Sequence, residues 1–168
     1  AAVPVQQESP FKLDDTGNAE RFVAQHGDNV RYDHSTGHWL IWTGTHWRQD
    51  DNGAVQRLAK ETARAIYEEA AEAAKVGRDE KAAQLAKWAH ASGQESRRKA
   101  MLNLARSEFP IAITHNRLNT HDLLLNCQNG TLDLETCTLR PHDRADLLTN
   151  DIYDSDLARF LAAAVGYN

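Results

Sequence analysis

At 168 residues, with 41% hydrophobic and 26% charged residues, the chain has the size and composition of one globular domain with room for a small appendage. Its formal net charge of −5 argues against broad, nonspecific nucleic-acid binding and leaves room only for a local basic face. No apolar run approaches the roughly 20 residues of a membrane helix, and no basic-then-apolar leader is present, so the expectation is a cytoplasmic protein without membrane attachment.

Residues 1–13, with Pro4, Pro10 and Gln6-Gln7, read as a linker or lead-in. Asp14-Asp15-Thr16 then offers side-chain oxygens to cap a short helix through Gln25, with Glu20 near its positive end. Ala19, Phe22 and Val23 form its apolar stripe, and Gly27 is placed to stop it. A three-stranded meander is predicted next, over Asn29 to Asp33, His38 to Thr43 and Trp47 to Gln49. The turns between are His34-Ser35-Thr36-Gly37 and Gly44-Thr45-His46.

The middle of the chain is helical. Val55, Leu58, Ala59, Thr62, Ile66, Ala70 and Ala73 recur at helical spacing and predict a helix from Gly53 to Lys75, with Gly77 after it. A second, Asp79 to His90, buries Leu85 and Trp88 with Ala82 or Ala89; a third, Gln94 to Glu108, carries Met101, Leu104 and Ala105 inward and stops near Pro110.

From Leu123 to His142 the pattern returns to strand. Asn129-Gly130 is the strongest two-residue hairpin signal, because a type I′ turn needs positive φ at both central residues. Leu132, Leu134 and, beyond a second turn, Leu139 predict one buried face. Across such a turn Cys127 lies opposite Leu132 and not Cys137, so these two cysteines, the only ones, read as free thiols. They also lack the CxxC spacing of a zinc knuckle. Leu157, Phe160, Leu161, Ala164 and Val165 predict a last helix from Asp154 to Val165. The fold class is thus α+β: a short helix and three-stranded meander, a helical middle, a β-hairpin module and a C-terminal helix.

Two blocks of sequence resemble one family. Asn126, Asn129, Gly130, Leu132, Asp133, Leu134, Pro141, His142 and Asp143 fit the pattern of the N-terminal domain that precedes the superfamily 3 helicase in phage and plasmid primase-helicases, a family shared with the poxvirus primase-helicase. Arg31, Tyr32, Trp39, Trp42, Gly44 and Trp47 fit its Arg-Tyr, turn, Trp-x-x-Trp-x-Gly-x-x-Trp signature. Where the family commonly has Gly, this chain has Cys137, a residue strained wherever φ is positive.

The resemblance divides the chain into a lead-in over 1–13, an accessory domain over 14–150 and, over 151–168, a helix leading toward an absent helicase core. The spacer after Asn150 is shorter than the family's, and Ala1 with a single methionine, Met101, reads as a piece of a longer or processed protein. The implied process is DNA replication of a phage, prophage or plasmid. The implied role is non-catalytic: helping a homo-oligomeric ring assemble or guiding DNA, with the primase and helicase modules of the same polypeptide as partners.

No GxxxxGK[ST] phosphate loop occurs, so ATP and magnesium are implied for the absent motor and no cofactor for this chain. Tyr32, Trp39, Trp42 and Trp47 could stack on single-stranded or forked DNA, with Arg31 and Arg48 on phosphates; the ordinary alternative is aromatics packed on the helices. Arg97-Arg98-Lys99, which Arg64 and Arg106 could join, is the only basic cluster, a DNA-tracking patch or else a solvated helix face. Asp133 and Glu135 with His142 or Asp143 could be imagined as a two-metal nuclease, but Asp133 is better read as a turn stabiliser. The eight histidines, His34 and His38 among them, do not converge at metal-ligand spacing, so no metal site is expected.

Overall fold

A computed structural model describes residues 10–149; the last predicted helix lies outside them. The fold is α+β, and its elements fall into two compact units. Among the described residues, one comprises 10–27 with Gly53–Ile111; the other comprises Asp28–Asn52 with 112–149.

The first unit is helical. α1 (Asp15–His26) begins where the Asp14 carboxylate accepts the Gly17 amide at 2.7 Å, satisfying one of the amides a helix start leaves open. α2 (Ala54–Lys75) and α3 (Asp79–Ser92) form a helical hairpin, and α4 (Glu95–Ala105) packs on α1. Ile66, Ala70, Leu85 and Ala89 form a buried cluster, with Leu13, Ala73, Ala86 and Trp88 packed on it. Two details differ from the sequence expectation. α4 ends at Ala105, short of Glu108, and turns Leu102 inward while Leu104 is 39% exposed. The reason is phase: the apolar face of α4 centres on Met101, Leu102 and Ala105, and Leu104 falls outside that arc.

This unit also buries polar groups that periodicity does not announce. The Arg21 guanidinium, fully buried, is bidentate to Glu69 at 2.7 and 2.9 Å and donates to the Lys12 carbonyl at 2.8 Å. Such pairing is what makes a buried charge tolerable. Buried Asn18 accepts from the Trp88 indole and donates to Ser92, both at 2.9 Å.

The second unit is built on two sheets. β1 (Val30–Asp33), β2 (His38–Trp42) and β3 (Trp47–Gln49) form the expected antiparallel meander. A fourth strand, β4 (Ala112–Ile113), joins it parallel to β1, giving the order β3-β2-β1-β4. Two residues are too short a strand for alternation to reveal. The second sheet has three antiparallel strands, β5 (Leu124–Cys127), β6 (Gly130–Asp133) and β7 (Thr138–Arg140).

The first turn of this second sheet is displaced by one residue from expectation. Cys127 pairs with Gly130 and Leu125 with Leu132, so the two-residue loop is Gln128-Asn129 and Gly130 opens β6. Gly130 has φ +150, and a Cβ there would collide with the Arg140 carbonyl oxygen of β7. The glycine serves the close approach of β7 rather than a type I′ turn. Leu139 is also corrected: it is 46% exposed, whereas Leu132 is buried and Leu134 half-buried. β7 is an edge strand, so Leu139 has a neighbouring strand on one flank only. Cys127 and Cys137 are both free.

Candidate nucleic-acid interface

Register decides which candidate residues of the meander share a face. Arg31 lies opposite Leu40, which lies opposite Gln49, and Trp42 lies opposite Trp47. Because alternate residues of a strand face the same way, Arg31, Leu40, Trp42 and Trp47 occupy one side of the sheet. Arg48, opposite Ile41, lies on the other side with Trp39 and Tyr32. The expected pairing of Arg31 and Arg48 around the tryptophans is therefore split between faces.

On the first face Trp47 is the core. It is fully buried, and its indole N–H donates to the Arg144 carbonyl at 3.0 Å. Leu40 and Ile113 are buried beside it, with Trp42, Leu118 and Leu147 packed around. The rings of Trp42 and Trp47 meet at 5.6 Å between centroids. Trp47 is thus structural, and Trp42, half-buried, is the aromatic left with a partly open face.

Arginines gather at that rim. The Arg31 guanidinium stands 4.5 Å over the Trp47 ring and donates to the Val30 carbonyl at 2.7 Å. Arg144 lies 5.6 Å over Trp42, its Nε donating to the Asn29 side chain at 2.9 Å. Both place a guanidinium over an aromatic face, the arrangement in which ring and cation attract. Burial depresses the pKa of Arg31; Asp28 opposes that, and the charges of Arg117 and Arg144 depress it further. Three guanidiniums therefore share one field, which the Asp28 carboxylate opposes at Arg31. Clustered like charge of this kind is most favourable when an anion completes it.

Arg117 and Arg144 were not among the residues the sequence singled out. Neither lies in a basic run. Arg117 closes a single 3₁₀ turn, His115–Arg117, and Arg144 opens another, Arg144–Asp146. The signal for Arg144 was the Pro141-His142-Asp143 block just before it. The Asp143 carboxylate accepts the Ala145 amide at 2.9 Å, capping the turn, and Asp146 holds Arg140 bidentately at 2.7 and 2.9 Å. The block fixes the turn on which Arg144 stands.

The remaining motif residues are structural in geometry. Asn126 is buried within β5, and Asn129 occupies the exposed loop before Gly130. His142 is half-buried, and neither ring nitrogen meets a hydrogen-bond partner among the described residues. Asp133 accepts the amides of Glu135 and Thr136 at 2.9 and 3.2 Å; the amides, chiefly that of Thr136, lower its carboxyl pKa. That carboxylate is committed to its turn, and among the described residues no three His, Cys, Asp or Glu side chains converge as a metal site.

The basic tripeptide belongs to the helical unit, on α4. Arg97 pairs with Asp15 at 2.8 Å and stacks on Trp88 at 5.1 Å, while Lys99 pairs with Glu95 at 2.5 Å. Arg98 is half-buried, with a shielded Nε that has no hydrogen-bond partner among the described residues. Two of the three charges are thus answered locally, and what they leave for an external anion is correspondingly reduced.

Among the described residues no helix is long and apolar enough to cross a membrane. No curated protein matches the chain. The sequence profile of the family described as D5 N terminal like matches residues 19–159, spanning both the Trp-rich meander and the Asn-Gly to Pro-His-Asp segment. The chain belongs to this family, the N-terminal domain of the D5 primase-helicases.

Proposed function

We propose that the chain is the non-catalytic accessory domain of a mobile-element replication primase-helicase and that it guides single-stranded or forked DNA toward the helicase. The family supports a place in a primase-helicase. The observation that carries the DNA-guiding role is the Arg31 guanidinium over the Trp47 ring and that of Arg144 over the adjoining Trp42, with Arg117 near enough for its charge to act on Arg31. Phosphate would enter that field, and Trp42 offers a base a partly open ring. ATP and magnesium belong, in this reading, to the helicase module, since the 168 residues contain no phosphate loop.

The test is an anisotropy titration with labelled single-stranded, duplex and forked DNA at two salt concentrations. Replacing Arg117 and Arg144 by Glu is expected to weaken forked-DNA binding about tenfold or more and to flatten its salt dependence. Unchanged affinity in a variant with an unchanged circular-dichroism spectrum would remove the meander as the DNA-guiding surface.

A second reading, support of ring assembly, is favoured by exposed Leu123 (50%) and Leu139 (46%) on and beside the second sheet. Charged residues at both positions would then prevent ring formation by the full-length protein while leaving DNA affinity of this domain intact.

A further inference from the structure

The helical unit carries a second charge-sorted surface, which neither the basic tripeptide nor the meander explains. Lys60, Arg64 and Tyr67 of α2 are spaced i, i+4 and i+7, so they line one face of that helix. They border a groove of about 340 Å³ completed by His90 near the end of α3, Gly93, and Gln94 at the start of α4. Its floor is Ala63 and Ala89, each 2% exposed. Small floor residues let a flat group approach the helices closely.

The lining contains Lys60, Arg64 and His90 and no carboxylate, in a chain with 24 acidic residues against 19 Lys and Arg. Among the described residues neither Lys60 nor Arg64 makes an ion pair, and Glu68, one turn beyond Arg64, makes none either. Like charges one turn apart repel and work against the helix. Tyr67, 46% exposed, supplies an aromatic face at the border.

We propose that this groove binds a single strand of nucleic acid, with Lys60 and Arg64 on phosphates and Tyr67 stacked on a base. The inference rests on the DNA-guiding reading but concerns a different unit and different residues. Charge complementarity selects a polyanion. An exposed ring beside a narrow floor selects an unpaired base, because bases inside a duplex have no free face.

The experiment titrates the intact chain with a labelled single-stranded oligonucleotide and with duplex of the same length across a salt series. Lys60→Gln with Arg64→Gln is expected to weaken single-strand binding about tenfold and to reduce the slope of log affinity against log salt by about 1.4, the counterions of two phosphates. Tyr67→Ala is expected to weaken it several-fold and Tyr67→Phe to restore it, a rescue that loss of fold would not give. Unchanged affinity and slope in the double variant, or equal losses for duplex and single strand, would overturn the proposal. Loss on Arg117 and Arg144 reversal with full binding by the Lys60 and Arg64 variant would overturn it while leaving the meander interface standing. The reverse pattern would support it and remove that interface.

Discussion

The hairpin joining β1 to β2 and the hairpin joining β6 to β7 use the same frame of six residues. One reads Asp33-His34-Ser35-Thr36-Gly37-His38 and the other Asp133-Leu134-Glu135-Thr136-Cys137-Thr138, with the first and last residue of each paired across the ladder. In both, the aspartate accepts the amide two residues on, at 2.9 Å, and the fifth residue is left-handed, Gly37 at φ 74 and Cys137 at φ 53. The environments differ. Asp33 is buried, accepts the Thr36 hydroxyl at 3.0 Å and the His115 ring at 2.9 Å, and so ties the hairpin to the segment after β4. Asp133 serves only residues of its own turn and the charge of Arg140. The same local sequence grammar makes a tertiary anchor in one place and a surface turn in the other.

The largest expected effect tests what the second sheet relies on in place of a buried aspartate. Gly130→Ala would force a Cβ into the Arg140 carbonyl and should cost about 3 kcal/mol, with β7 released first. Urea denaturation would measure the loss, and hydrogen exchange at Thr138–Arg140 would place it. A loss below about 1 kcal/mol would mean that β7 can move away freely.

Asp33→Ala should come next, at about 2 to 3 kcal/mol, since it strips charged hydrogen bonds from Ser35, Thr36 and His115. Asp133→Ala should cost clearly less in the same urea titration, and equal costs would break the distinction between anchor and surface turn. The acid limb sharpens it. Burial pushes the Asp33 carboxyl up, but the His115, Ser35 and Thr36 hydrogen bonds outweigh it, so its native pKa is below the ordinary 3.8. A depressed carboxylate stabilises above its unfolded value, and the contribution disappears as pH falls from about 3.8 through the native value. In Asp33→Asn that component of the acid-induced loss should be missing.

Gly37→Ala should cost about 1 to 2 kcal/mol, because the position is left-handed although a Cβ there meets only the Tyr32 hydroxyl, at an ordinary 3.8 Å. The smallest effect has the opposite sign. Cys137→Gly relieves the same strain, and after the extra chain entropy of glycine should stabilise by about 0.5 to 1 kcal/mol. A lower melting temperature for this variant would show that the half-buried Cys137 side chain contributes more packing than its backbone costs.

Much of this architecture was legible in the chain because it depends on neighbours in sequence. Asp14 capping α1, the apolar faces of α2 and α3, the three strands of the meander, and Asp133 folding its own turn all follow from residues a few positions apart. The strain at Cys137 was legible too, from a cysteine standing where the family has glycine. The helix from Asp154 falls outside the described residues.

What tertiary structure alone decided involves partners far apart. Arg21 is buried because Glu69, 48 residues away, meets it, and β4 exists because Ala112 and Ile113 dock beside β1. Gly130 opens a strand instead of a turn because β7 passes too close for any side chain. The candidate interface belongs to this second class. The sequence by itself determined the tryptophans and Arg31, which stand within one local meander. Only the fold added Arg117 and Arg144, 70 or more residues beyond the last of these tryptophans, and placed Arg48 on the opposite face. Periodicity and turn chemistry record interactions along the chain, whereas a field of charges depends on distance through space and leaves no periodic trace.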